Sequence, residues 1–63
     1  MEDWRIYFNV AERGANGNVT LFGDSTKMDL LPIDFCKSGS FIIDDENLTV
    51  YTYSQSKKVW IEV

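Results

Sequence analysis

Hydrophobic residues recur at every second position through most of the chain, in short runs broken by turn-forming residues. That is the pattern of β-strands with two chemically distinct faces. In the first run Trp4, Ile6, Phe8 and Val10 share one face, while Arg5, Tyr7 and Asn9 share the other. Residues 11–18 follow as a loop, with Asn16-Gly17 as its strongest turn signal. A two-residue turn at that dipeptide would set Glu12 opposite Leu21 and put charge on an apolar face. A longer loop, with Val10 opposite Val19 and Phe8 opposite Leu21, keeps the faces consistent and is the pairing expected. A second strand runs from Val19 to Phe22 and ends at Gly23-Asp24-Ser25.

From Lys27 to Cys36 the alternation changes phase. Met28 and Leu30 alternate, and then Leu31, Ile33 and Phe35 alternate one position out of step. A β-bulge produces such a shift, and Pro32, which lacks an amide donor, suits an edge or a bend. A short helical turn beginning at Pro32 is the competing reading. Lys37-Ser38-Gly39 closes the segment.

The final third predicts three strands, Ser40 to Ile43, Leu48 to Tyr53 and Lys58 to Val63, joined by turns at 44–47 and 54–57. Four-residue loops would set Ile43 opposite Leu48 and Phe41 opposite Val50, then Val50 opposite Ile61 and Leu48 opposite Val63. Phe41, Ile43, Leu48, Val50, Val59, Ile61 and Val63 then share one apolar side, which is expected to face the core. Ile42, Tyr51, Tyr53 and Trp60 fall on the other side, beside Ser40, Thr49, Lys58 and Glu62.

Short strands with an apolar side must curl up or find a partner. The expected fold is therefore all-β, a small antiparallel five- or six-stranded barrel, SH3-like by first choice and OB-like by second. Residues 1–63 form a single β domain, since 63 residues leave room for no more. A chain this short buries only about 60% of the surface its unfolded form exposes, so its stability margin is narrow.

Charge and residue counts narrow the function. Six Lys and Arg against ten Asp and Glu give a net charge of −4 and a pI near 4.4. Nucleic acid is therefore not the expected partner, because phosphate neutralisation needs clustered basic residues. The chain has no histidine, which removes the commonest general base and metal ligand. Cys36 is the only cysteine, so the chain can form neither an internal disulfide nor a zinc site built from several thiolates. Its neighbours Ile33 and Phe35 point to a buried structural thiol rather than a nucleophile. No run approaches the roughly 20 apolar residues of a membrane helix, and the acidic start Met1-Glu2-Asp3-Trp4 does not resemble a basic signal peptide. These features predict a complete cytoplasmic chain with no cofactor and no enzymatic activity.

What remains is binding. A sheet face carrying Tyr51, Trp60, Tyr53 and Ile42, flanked by Tyr7 and Arg5, is rich in the residue types that concentrate in binding hot spots. The expected function is a small protein-interaction module, a regulator or inhibitor of a larger protein, contacting it through that aromatic face. A homo-oligomer burying the same aromatics is the alternative. The acidic loop Asp44, Asp45 and Glu46 supports a third idea, an acidic mimic of nucleic acid that blocks a basic groove. It lacks the ligand spacing of an EF-hand, so no metal is assigned to it.

Overall fold

The structure is a computed structural model and describes residues 3–63. Five strands lie side by side in one sheet: β1 (Phe8–Arg13), β2 (Val19–Gly23), β3 (Phe41–Asp44), β4 (Thr49–Ser54) and β5 (Val59–Glu62). Their spatial order is their chain order. β1–β2, β3–β4 and β4–β5 pair antiparallel, whereas β2 and β3 pair parallel. The expected antiparallel barrel is therefore corrected twice. The sheet is mixed, because residues 24–40 carry the chain back to the end where β2 began, as a parallel neighbour requires. It is also open, with β1 and β5 at opposite edges rather than paired to each other. The β1 edge is broken by a bulge between Val10 and Glu12 and carries Glu12 and Arg13, devices that discourage edge-to-edge pairing.

The first alternating run divides in two. Asp3 caps a 3₁₀-helical turn over Trp4–Ile6 by accepting the Arg5 backbone N–H at 2.9 Å. The strand itself starts at Phe8 and continues past the expected end to Arg13. Its register differs from expectation by two residues, with Val10 opposite Leu21 and Phe8 opposite Gly23. A tight turn explains the slip. The Gly14 N–H donates to the Asn18 carbonyl at 2.8 Å, and Gly17 supplies a left-handed φ of 84°. Gly23 matters for a different reason. A Cβ there would run into the Tyr7 carbonyl oxygen and lie 2.8 Å from Phe8 Cα.

The crossover contains two 3₁₀ segments, Ser25–Leu30 and Ile33–Phe35. Asp24 caps the first by accepting the Thr26 N–H at 3.0 Å, and Pro32 precedes the second in extended conformation. The helical-turn reading of Pro32 is therefore the correct one, and no strand forms from Met28 to Phe35. Leu31 and Phe35 reach down from the crossover to join Phe8, Val19, Leu21 and Ile42 in the core. Trp4, Tyr7, Val10, Met28, Tyr51 and Trp60 pack around that cluster. The Trp4 ring meets Phe35 edge-on with centroids 5.0 Å apart.

Both hairpin turns begin one residue later than expected. Asp44 and Ser54 stay in their strands as capping residues: Asp44 Oδ1 accepts the Asn47 N–H at 3.0 Å, and Ser54 Oγ accepts the Lys57 N–H at 3.2 Å. The last loop residues, Leu48 and Lys58, adopt left-handed φ values of 57° and 58°. Each pairing then shifts by two residues, with Ile43 opposite Val50 and Tyr53 opposite Trp60. A shift of two leaves every side chain on its original face.

Two substitutions, one in a turn and one at the end of β2, check these glycine-sensitive positions by urea denaturation. Left-handed backbone costs a residue with a side chain about 1–2 kcal/mol, and glycine returns about 0.4–1 kcal/mol of that through a freer unfolded chain. Leu48→Gly, at a site 87% exposed, should therefore raise stability by up to about 1 kcal/mol. Gly23→Ala should lower it by about 1–3 kcal/mol, because the obstruction is backbone that cannot turn aside.

Candidate functional site

The alternation divides the sheet into the two faces expected, but the face turned to the core is the aromatic one. Val10, Leu21, Ile42, Tyr51 and Glu62 form one cross-strand row under the crossover, and Tyr53 and Trp60 form another. Ile42 is 0% and Tyr53 9% exposed. Tyr51 and Trp60 are half-buried against the core, and Tyr53 meets Trp60 edge-on at 5.2 Å. Tyr7 also packs against the core, and Lys27 Nζ lies 5.2 Å from its ring centroid. Arg5 is exposed and folds back onto Asp3 in a 2.7 Å ion pair. The structure therefore brings Ile42, Tyr51, Tyr53 and Trp60 together, as expected, but in the interior. Arg5 stands apart from them.

The opposite face has no cover. Its rows are Asn9–Phe22–Ile43–Val50 and Glu12–Thr20–Phe41–Thr52–Ile61, with Ser54 and Val59 alongside. Phe22 is 44%, Phe41 39% and Val59 49% exposed. Val50 and Ile61 are exposed to a similar degree, and Ile43 is half-buried among them. On β2 to β5 every outward-facing side chain in these rows is uncharged. A monomeric domain rarely shows water a contiguous apolar patch of this kind unless it has an interaction role.

The acidic loop also differs from expectation. Asp45 and Glu46 are exposed, but Asp44 is buried and fully engaged. Its Oδ2 accepts the Ser25 N–H at 2.8 Å, the Ser25 hydroxyl at 2.7 Å and the Asn47 side-chain amide at 2.7 Å. Its Oδ1 accepts the Glu46 and Asn47 N–H groups at 3.2 and 3.0 Å. The Asn47 amide foremost, then the Ser25 and Asn47 backbone N–H groups and the Ser25 hydroxyl, holds this carboxyl far below the usual carboxylate range. Asp44 is thus a structural anion and not one of three solvated charges. A depression of about 260 Å³ beside it is lined by Ile6, Tyr7, Gly23, Asp24, Asp44, Asp45 and Glu46.

Ser40 is the second buried polar residue on the inner side. Its hydroxyl accepts the Val19 N–H at 3.1 Å, and its carbonyl accepts the Thr52 hydroxyl at 3.1 Å and the Tyr53 N–H at 3.3 Å. Among the described residues no buried side-chain polar atom lacks a partner. Cys36 is half-buried rather than fully buried, and its thiol lies 3.8 Å from the Pro32 carbonyl. Burial pushes that thiol up, away from the thiolate form a nucleophile needs. Among the described residues no group of three or more His, Cys, Asp or Glu could hold a metal ion. None of their helices is long and apolar enough to cross a membrane.

The outward-facing residues Phe41, Ile43, Val50, Val59 and Ile61 are the ones that reasoning from the sequence assigned to the core. One available signal was that within β3, β4 and β5 the only charged residues are Asp44 and Glu62, so that both faces are apolar enough to be covered. The chain matches no family model, no curated protein and no solved structure.

Asp44 sets a pH dependence. Its carboxyl is more acidic folded than unfolded, so its contribution to stability is complete above the ordinary carboxylate value of about 3.9. It is lost as pH falls from there through the depressed folded value. Asp44→Asn should be less stable than the wild type at pH 7, and the gap in thermal midpoint should narrow steadily below about pH 4. A gap that stayed constant down to pH 2 would show that the carboxylate charge is not what Ser25 and Asn47 recognise.

Proposed function

We propose that this chain is a small non-enzymatic protein-interaction module whose working surface is the outer face of its sheet. The observation that carries the proposal is the uncovered face, uncharged from β2 to β5, built on Phe22, Phe41, Ile43, Val50, Val59 and Ile61. Such a surface gains by leaving water, at roughly 25 cal/mol for each Å² removed. From β2 to β5 it offers no charge for a small ion or a nucleic acid to pair with. The binding role first expected of Tyr51, Tyr53 and Trp60 passes to this face, because their own side is occupied by the crossover. Toward a different chain, a module of this kind acts as a regulator or inhibitor by occupying a surface.

A cytoplasmic setting belongs to the same proposal and is supported by the single unpaired thiol. The acidic-mimic alternative is weakened, because Asp44 spends its charge inside the fold. Catalysis is weakened as well, by the absence of histidine and the raised Cys36 thiol.

Paired substitutions on the two faces test the proposal. Phe41→Ser with Ile61→Ser should leave the domain folded by circular dichroism while abolishing association with whatever the wild type binds. Ile42→Ala on the inner face should cost about 2–5 kcal/mol, as truncations of fully buried aliphatic side chains do. If the double serine variant kept full binding, the outer face would not be the working surface.

A further inference from the structure

We infer that the partner on the outer face is a second copy of this chain, packed face to face about a two-fold axis to make a ten-stranded, two-layer sandwich. The inference rests on the proposal that the outer face is the working surface. Three observations lead from that face to a second copy.

The first is charge. Each chain carries −4 overall, so two copies repel wherever their acidic groups approach. Asp24, Asp44, Asp45 and Glu46 gather around one depression on the molecule. The rows through Phe22, Phe41, Ile43, Val50 and Ile61 carry no charge on β2 to β5. The one charge in these rows is Glu12 at the β1 edge, so over β2 to β5 two copies can touch without setting like charges against each other. A basic partner, by contrast, would find only Glu12, at the sheet's edge, to attract it.

The second is area. The accessible surface is 4391 Å² over a body of 25 × 23 × 20 Å. One broad side of such a body holds about a sixth of that surface, and two facing sides bury roughly 1,500 Å², inside the range of about 1,200–2,000 Å² for stable specific interfaces.

The third is the thinness of the single-chain core. Seven buried apolar residues, from Phe8 to Tyr53, make up that core. No disulfide or three-ligand metal cluster reinforces it among the described residues. Domains of this size commonly complete their burial by oligomerising. A face of Phe, Ile and Val side chains is what one layer of a two-sheet sandwich presents to the other, with the layers about 10 Å apart. The same patch serves both partners in a two-fold pair, so no separate complementary surface has to exist.

Molar mass by light scattering across a dilution series tests the inference, with Phe41→Lys as the comparison. The wild type should run at twice its 7.3 kDa chain mass, and Phe41→Lys, which sets a charge at the centre of the face, should run at the chain mass. A wild type that is monomeric at every concentration overturns the second copy. The outer-face proposal is then decided separately by the double serine variant. A dimer that survives Phe41→Lys overturns the second copy at this face and also counts against the face as a working surface. If Phe41→Lys does not fold, the thermal midpoint of the wild type decides the matter. It should rise with protein concentration, as it does for a dimer that dissociates on unfolding, and a constant midpoint overturns the inference.

Discussion

One short crossover, residues 24–40, has to cover a five-stranded sheet, and it can lie on only one side. Most of the remaining structure follows from that constraint. Leu31 and Phe35 are the crossover residues that enter the core, so the sheet must send up large side chains to meet them. Tyr51, Tyr53 and Trp60, with Trp4 from the N-terminal turn, fill the space that smaller aliphatic residues would leave empty. The crossover is pinned near both ends by buried polar groups. Ser25 at its start is held by Asp44 at the end of β3, and Ser40 at its close receives the Val19 N–H from the start of β2. Because every buried side-chain polar atom described is paired, these contacts fix the position of the crossover without stranding a side chain's polar group.

Much of this was legible in the alternation of residues, and the failures have definite causes. β2 to β5 lie where turn-forming residues bracket alternating runs, while β1 runs three residues into the expected loop, and the partition of side chains into two faces survives intact from β3 to β5. The register of β1–β2 slipped because its turn over residues 14–18 is tighter than expected, and those of β3–β4 and β4–β5 because turn length there is decided by capping. Asp44 and Ser54 remain in their strands to cap, and Leu48 and Lys58 take left-handed conformations that no glycine announces. The parallel β2–β3 pair was not legible because the alternation around Pro32 belongs to 3₁₀ turns rather than to a strand.

Which face points inward is the harder lesson. Periodicity divides residues into two sets and leaves open which set is covered. Ser40, Thr49, Lys58 and Glu62 share the parity of Ile42, Tyr51 and Trp60, so polar neighbours make the inner face read as solvated, and Asp44 reads as part of a turn. Ser40 and Asp44 are inside because each has a specific partner waiting for it, Val19 for one and Ser25 for the other. A buried serine and a buried aspartate carry no mark in the sequence that separates them from exposed ones. Tyr51 and Trp60 therefore read as the exposed set, whereas the uncovered surface is the row set of Phe41, Ile43, Val50 and Ile61.

The parallel pairing at the centre of the sheet also determines how the chain can reach its fold. β1–β2 and β3–β4–β5 are each joined by short turns, so both can form from neighbouring residues at little entropic cost. β2 and β3 cannot pair until the whole of residues 24–40 has been drawn into a loop. Both polar pins, Ser25 to Asp44 and Val19 to Ser40, span the same seam. Residues 24–40 are thus the longest loop the fold must close, and that entropic cost is met at the centre of the sheet, where Leu21 and Ile42 are fully buried.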